Sequence, residues 1–183
     1  IENRTVNVFQ AGIEIGIPLS NEGPSGPRIV RRPGIQVIQK DRALKRVRVV
    51  LDARRIEFDY DKATLRPEAA ARLARLGVFL AKSHENWETL RISGHTDERG
   101  SVEYNQTLSE NRAAAVRTAL IAQGVGREKM QTQGFSENQP IDPGHTEIAW
   151  QKNRRVEFDF TGVQDLELIV DGMNQATSDE SDE

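Results

Sequence analysis

The chain has 183 residues, 37% hydrophobic and 29% charged, with a formal net charge of −3, the balance of a globular protein with a core of its own. Charge is spread unevenly: basic residues crowd the stretch from Arg28 to Arg55, and no Lys or Arg follows Arg155. The absence of cysteine excludes disulfides, cysteine nucleophiles, thiolate metal sites and a lipidated amino-terminal cysteine from these residues.

The first patterned stretch is VFQAGIEIGIPL, where Ile13, Ile15, Ile17 and Leu19 alternate with Glu14 and small residues. A period of two predicts a strand within residues 1–20, either half-buried in a sheet or left from an upstream outer-membrane barrel, whose lipid face alternates the same way. The chain begins at Ile1 and shows neither a signal peptide nor a membrane-length apolar run, so an upstream portion lost by processing or truncation is expected. Residues 21–46 gather Gly and Pro in NEGPSGPRIVRRPG, then arginines, and read as a linker.

A domain is expected over residues 47–162. Val47, Val49, Leu51, Ile56 and Phe58 predict one strand, interrupted near Ala53 in the manner of a bulge. A helix follows from Pro67, with Glu68 at the positive end of its dipole and Ala69, Leu73, Leu76 and Leu80 on one face. ETLRISGH gives a second strand through Leu90 and Ile92, and Leu108 to Gln123 a second helix stopped by Gly124. MQTQGFSE and RRVEFDF give two more strands. This order predicts an α/β chain of the α+β two-layer sandwich kind, with helices packed on one face of a mixed four-stranded sheet. Residues 163–183, which end in NQATSDESDE, are expected to be an acidic, disordered tail.

The second helix carries an oddity. At 3.6 residues per turn Leu108, Arg112, Ala115 and Ala119 share one arc, which puts Arg112 on the apolar stripe. A guanidinium left unpaired there costs roughly several kcal/mol, so a carboxylate or a ligand must meet it. Asp97, in the loop SGHTDERG, is the candidate carboxylate. Two readings stand: a buried Arg–Asp pair that fixes the loop to the helix, or a ligand site.

FDYDKATLRPEA, SGHTDERGSVEYNQTLSENRAAAV, QGFSENQP and NRRVEF occur in this order and at separations that resemble the OmpA-like peptidoglycan-binding family, and TDERG..EYN..L...RA is most similar to its peptidoglycan-associated lipoprotein branch. The resemblance covers roughly residues 47–160. It implies a module that binds, without cutting, the peptide stem of the cell wall through the free amino-acid end of meso-diaminopimelate. On that resemblance Arg112 takes the ligand carboxylate and Asp97 its ammonium, Tyr60 and Asp61 of FDYD contribute a first loop, Thr96, Asn105 and Leu108 border the pocket, and Arg154 of NRR closes it. It further implies a periplasmic, Gram-negative setting, with peptidoglycan as partner, attachment to the outer membrane through an upstream region, and Tol-type periplasmic proteins as further partners.

The chemistry of the residues agrees. An amino-acid end is a compact zwitterion, recognised by one anionic acceptor and one planar cationic donor a few ångströms apart, and the arginine fork holds both oxygens of a carboxylate. Rival readings fare worse. Ser93, His95 and Asp97 lie on one short strand end and cannot take up the relayed geometry of a hydrolase triad, so no catalytic residue is expected. His84, His95 and His145 have no metal-site spacing, and neither metal nor cofactor is expected. Net negative charge and 5% aromatics argue against nucleic acid, despite the arginines from Arg28 to Arg55. The N-x-T matches at Asn3 and Asn105 are short enough to arise by chance. The alternative from another class is a partner-docking protein of the same fold, such as a motor-stator or Tol-type component, in which protein contacts outweigh the wall.

Overall fold

A computed structural model describes residues 29–32, 35–41, 46–59 and 61–178; the strand expected within residues 1–20 lies outside the described residues, as does Tyr60. Six strands form one sheet: β1 (Ile29–Arg32), β2 (Ile35–Asp41), β3 (Arg46–Asp52), β4 (Thr89–Gly94), β5 (Met130–Gly134) and β6 (Arg155–Thr161), in the order β1-β2-β3-β6-β4-β5. All neighbours are antiparallel except β4 and β5, which are parallel. The four strands β3-β6-β4-β5 are the mixed sheet expected from the sequence. Four α-helices accompany them among the described residues: α1 (Pro67–Lys82), α2 (Val102–Ile121), α3 (Glu147–Asn153) and α4 (Leu166–Thr177).

Register explains which face is buried. Val47, Phe160, Leu90 and Met130 stand in one cross-strand row, and Val49, Phe158 and Ile92 in the next. Alternation puts these rows on a single face, and they share one core with Leu73, Leu76 and Leu80 of α1, Ala113, Val116 and Leu120 of α2, and Ile169, Val170 and Met173 of α4. Helix α1 packs against both α2 and α4. The intervening residues face the other way and, Val50 apart, are polar: Arg48 meets Asp159 at 2.6 Å and Glu157 at 3.2 Å, and Arg91 meets Asp159 at 2.9 Å. Ala69, Leu73, Leu76 and Leu80, the face expected of α1, are all fully buried.

The structure departs from the sequence reading in four places. The strand from Val47 ends at Asp52 without a bulge, because the Asp52 carbonyl accepts from Arg55 N at 3.0 Å and Ile56 N at 3.1 Å and turns the chain, leaving Phe58 in a single bridge to Leu65. The expected linker of residues 21–46 contains β1 and β2, which extend the sheet beyond β3. Helix α2 begins six residues before Leu108, where Ser101 Oγ accepts from Tyr104 N and caps it. Its buried stripe runs through Asn105, Ser109, Arg112, Ala113, Val116 and Leu120, so Ala115 and Ala119 sit at its edge and are only partly buried.

The fourth departure is α4, in the segment 163–183 expected as a disordered tail. Ile169, Val170, Met173 and Ala176 recur at helical spacing, Asp165 caps the helix by accepting from Leu168 N at 3.0 Å, and Arg75 of α1 donates to the carbonyls of Ala176 and Ser178, each at 3.1 Å. Burial outweighs the polar composition that follows it. Met173 is fully buried, so Met173→Ala should cost about 2–5 kcal/mol of unfolding free energy, read from urea melts. A loss under about 0.5 kcal/mol, the range of an exposed site, would mean that α4 adds nothing to the core.

Candidate ligand-binding site

The site is assembled where β4 and β5 end under α2. Gly94 and Gly134 are cross-strand partners, and a Cβ at either would run into Ser109, at its backbone carbonyl or its hydroxyl respectively. Glycine at both positions therefore lets α2 lie directly on the strand ends. Beyond Gly94 the chain stays tied down: His95 N donates to Arg155 O at 3.1 Å and Thr96 N to Ser136 O at 3.0 Å. His95, Thr96 and Asp97 are all buried as a result. The Asn105 amide holds the following loop by reaching Asp97 O at 3.3 Å and Arg99 O at 3.1 Å, and Gly100 takes the positive φ of 107° that the loop needs.

A cavity of about 430 Å³ opens at this end of the sheet. Of the residues anticipated from the sequence, Asp97, Arg112, Thr96 and Arg154 line it, as do Asp61, Asn105 and Leu108. Tyr60 was anticipated with them and is not among the described residues. Phe58, Arg99, Tyr104 and Glu147 also line the cavity and were not singled out.

Asp97 and Arg112 do not meet as the expected ion pair. The Asp97 carboxylate takes four N–H donors: Arg99 N at 3.0 Å and Nε at 3.2 Å on Oδ1, and Arg99 Nη2 and Arg154 Nη1, each at 2.7 Å, on Oδ2. A residue two positions away satisfies the aspartate before the helix can. Burial alone would raise its pKa, but the hydrogen bonds from Arg99 and Arg154 prevail and hold it below the usual carboxylate value.

Arg112 is buried on the opposite terms. Its Nε donates to Lys62 O at 3.1 Å and its guanidinium lies over the Phe58 ring, 5.1 Å from the centroid. Among the described residues no carboxylate comes within 4 Å of it, and no hydrogen bond engages its two terminal nitrogens. Burial and the charge of Arg154 pull its pKa down from its ordinary value, against the pull of Asp97, yet a guanidinium keeps its charge. An uncommitted cationic fork therefore forms one wall of the cavity.

Two supports fix the rim. Asp61, at a φ of 59°, accepts from the Tyr104 hydroxyl at 2.6 Å on Oδ1, which pins the loop that offers Lys62 O to Arg112. Helix α3, too short for sequence periodicity to betray, carries Glu147, which takes Arg154 Nη2 at 2.6 Å. Thr96 lines the cavity, and its hydroxyl is buried without a hydrogen-bond partner among the described residues. Ser93 Oγ and both His95 ring nitrogens make no hydrogen bond, so no relay links Ser93, His95 and Asp97. Among the described residues, no group of three His, Asp or Glu is placed to hold a metal, and no helix is long and apolar enough to cross a membrane.

His95 carries a pH dependence of its own. It stacks on Phe135, and burial together with the charges of Arg155 and Arg48 pushes its imidazole down to about 3 from an ordinary 6.5, against the pull of the Glu157 carboxylate 3.5 Å from Nε2. The folded chain refuses a proton that the unfolded chain takes up, so this contribution is fully present above pH 6.5 and is lost as pH falls towards 3. Between pH 6.5 and 4.5 the expected loss is about 2 kcal/mol, and His95→Gln should flatten the pH dependence of the urea midpoint over that interval. Equal slopes in parent and variant would refute it.

The model of the OmpA family matches residues 57–154 of the 183. The chain belongs to the OmpA family. It is 39% identical over 101 residues to the peptidoglycan-associated lipoprotein of Pseudomonas aeruginosa, covering 55% of this chain and 58% of that one. Outer membrane protein A of Shigella flexneri is 30% identical over 154 residues, 79% of this chain and 42% of the relative. The chain thus spans about half the length of the curated relatives it matches. Among solved structures, the peptidoglycan-associated lipoprotein of Burkholderia pseudomallei superposes with a TM-score of 0.52 at 37% identity, covering 57% of this chain and 87% of that one. The periplasmic domain of Helicobacter pylori MotB gives 0.61 at 21% identity, covering 80% and 94%, a likeness of fold. The four-stranded mixed sheet β3-β6-β4-β5 with its helices matches the fold of these OmpA-like neighbours.

Proposed function

We propose that this OmpA-family chain binds the peptide stem of peptidoglycan without cutting it, taking the free amino-acid end of meso-diaminopimelate, and so ties an outer-membrane structure to the cell wall from the periplasm of a Gram-negative bacterium. The observation that carries the reading is the Arg112 fork, buried in the cavity wall without a carboxylate, in a cavity that also holds the ionised Asp97. A ligand carboxylate would complete Arg112 with two parallel charge-assisted hydrogen bonds, and a ligand ammonium would pair with Asp97. Thr96, Asn105, Leu108, Asp61 and Arg154, which line the cavity, would border the ligand. Relatives named as peptidoglycan-associated lipoproteins and an outer membrane protein A support both the wall and the membrane. With no cysteine in these residues, attachment to the membrane lies elsewhere in the protein, and Tol-type proteins are candidate periplasmic partners.

The test pairs calorimetry using free meso-diaminopimelate with sedimentation on purified sacculi. One zwitterionic contact in an open site must offset lost ligand freedom, so the free amino acid should bind on the order of tens of micromolar to millimolar. Sacculi should pellet the protein firmly. No heat with diaminopimelate and no pelleting would end the proposal.

A further inference from the structure

The Asp97 carboxylate is already full. An ionised carboxylate offers about four lone-pair sites, and Arg99 and Arg154 fill both oxygens with two donors each. A ligand ammonium finds no acceptor there until one of those donors leaves. Arg154 is the worse candidate to leave: its side chain is 25% exposed, its second nitrogen is bound to Glu147 at 2.6 Å, and its backbone caps α3 immediately before β6 begins. Arg99 is 46% exposed and stands on a loop. It also has a second seat within reach. Its Nη1 lies 3.5 Å from Glu147 and its guanidinium 4.5 Å from the centroid of the Trp150 ring, one helical turn further along α3. Trp150 is itself held, by donating from Nε1 to Glu98 at 2.9 Å, and Glu98 is bound by His145. A cation leaving Asp97 therefore stays held by a carboxylate and an aromatic face that it already touches.

We infer, on the basis of the diaminopimelate reading above, that Arg99 is a built-in competitor for the cation seat on Asp97 and a specificity-determining residue of the cavity. Its guanidinium holds the acceptor oxygens that a ligand ammonium needs and, on giving them up, keeps the contacts with Trp150 and Glu147 that it already makes. An amine alone must displace two side-chain hydrogen bonds and gains only one ion pair. An amine with a neighbouring carboxylate gains Arg112 as well, and that second contact tips the exchange. Arg99 thus rejects simple cations and accepts a zwitterion.

The test is calorimetry on the whole chain and on Arg99→Ala, with meso-diaminopimelate and with 1,5-diaminopentane, which has the same amine spacing and no carboxylate. If the seat is occupied about nine-tenths of the time, emptying it raises apparent affinity about tenfold. Arg99→Ala should therefore bind diaminopimelate about tenfold tighter than the parent, and only the variant should bind diaminopentane measurably. Trp150→Ala removes the second seat, and should weaken diaminopimelate binding about threefold in the parent background yet leave it unchanged beside Arg99→Ala. That coupling is something a merely structural Arg99 would not produce. A parent that binds diaminopimelate while Arg99→Ala binds it more weakly means that Arg99 supports Asp97; the competitor role is then wrong and the wall-binding function stands. Failure of both proteins to bind diaminopimelate overturns the two together.

Discussion

Arg112→Met should raise the stability of the fold by about 1–2 kcal/mol and abolish retention on sacculi. Two readings of a buried arginine make opposite forecasts here. If Arg112 were one half of a structural ion pair, removing it would strand a buried carboxylate and cost about 3–5 kcal/mol. Asp97, however, already takes its donors from Arg99 and Arg154, and Arg112 has only a backbone carbonyl and an aromatic face. Its desolvation is poorly repaid in the unliganded fold, so an apolar side chain of similar length fits the helix stripe better. Arg112→Lys separates charge from geometry. A lysine keeps the positive charge but cannot give one carboxylate two parallel donors, and should lose about tenfold to a hundredfold in affinity. Urea melts and sedimentation on the same three proteins decide it: near-normal retention of the lysine variant would mean that charge attraction suffices, and a destabilised methionine variant would restore the structural reading.

How much of this was legible in the sequence depended on whether a signal was local or periodic. The helix from Pro67 was readable because its apolar residues recur at 3.6 and a proline marks its start, and the four central strands because they alternate. The strands β1 and β2 were hidden by their setting, since Ile35 and Val37 follow directly on a run of Gly, Pro and Arg that reads as linker. In α4 four acids within the last five residues, 179–183, drew the eye from Ile169, Val170 and Met173, whose helical spacing was there to be found. Arg112 does lie on a buried stripe, but at its edge: the face turned to the core is centred on Ser109, Val116 and Leu120, and the small alanines Ala115 and Ala119 carry too little apolar weight to show which side of Arg112 is inside. Which residues share the cavity followed from family resemblance. Which of them pair did not, because both Asp97 and Arg112 sit among several cations and acceptors, and only the fold of the 95–100 loop puts Arg99 rather than Arg112 on the aspartate. The same holds for Tyr104 and Glu147, ordinary surface residues in the sequence that become rim supports through Asp61 and Arg154.

Asp97→Asn is expected to lose both free diaminopimelate and sacculi, and by more than any lysine variant at Arg112. Asparagine keeps the size of the side chain but replaces two charged acceptor oxygens by one neutral acceptor and a donor, so at least one of the N–H groups from Arg99 and Arg154 is left facing another N–H. The cavity end around position 97 would then present Arg99, Arg112 and Arg154, with Glu147 already bound to Arg154, and a ligand ammonium would lose the carboxylate that meets it there. A loss of a hundredfold or more, about 3 kcal/mol, is the expected scale for an ion pair removed from a buried site. For the free amino acid, already weak, that places binding beyond detection. For the wall the consequence is steeper, because retention is built from many weak contacts with a dense array of identical stems and each of them is weakened alike. Acid should imitate the substitution only late: Asp97 is held below the usual carboxylate range, so it keeps its charge as pH falls past the value at which an exposed aspartate would lose it. Sedimentation on sacculi at moderate salt, at pH 7 and at about pH 3.5, just below the ordinary aspartate value, checks both points, with the parent pelleting at each pH and Asp97→Asn at neither. An Asp97→Asn protein that pellets like the parent would remove the cavity from wall binding and pass the role to the basic residues between Arg28 and Arg55.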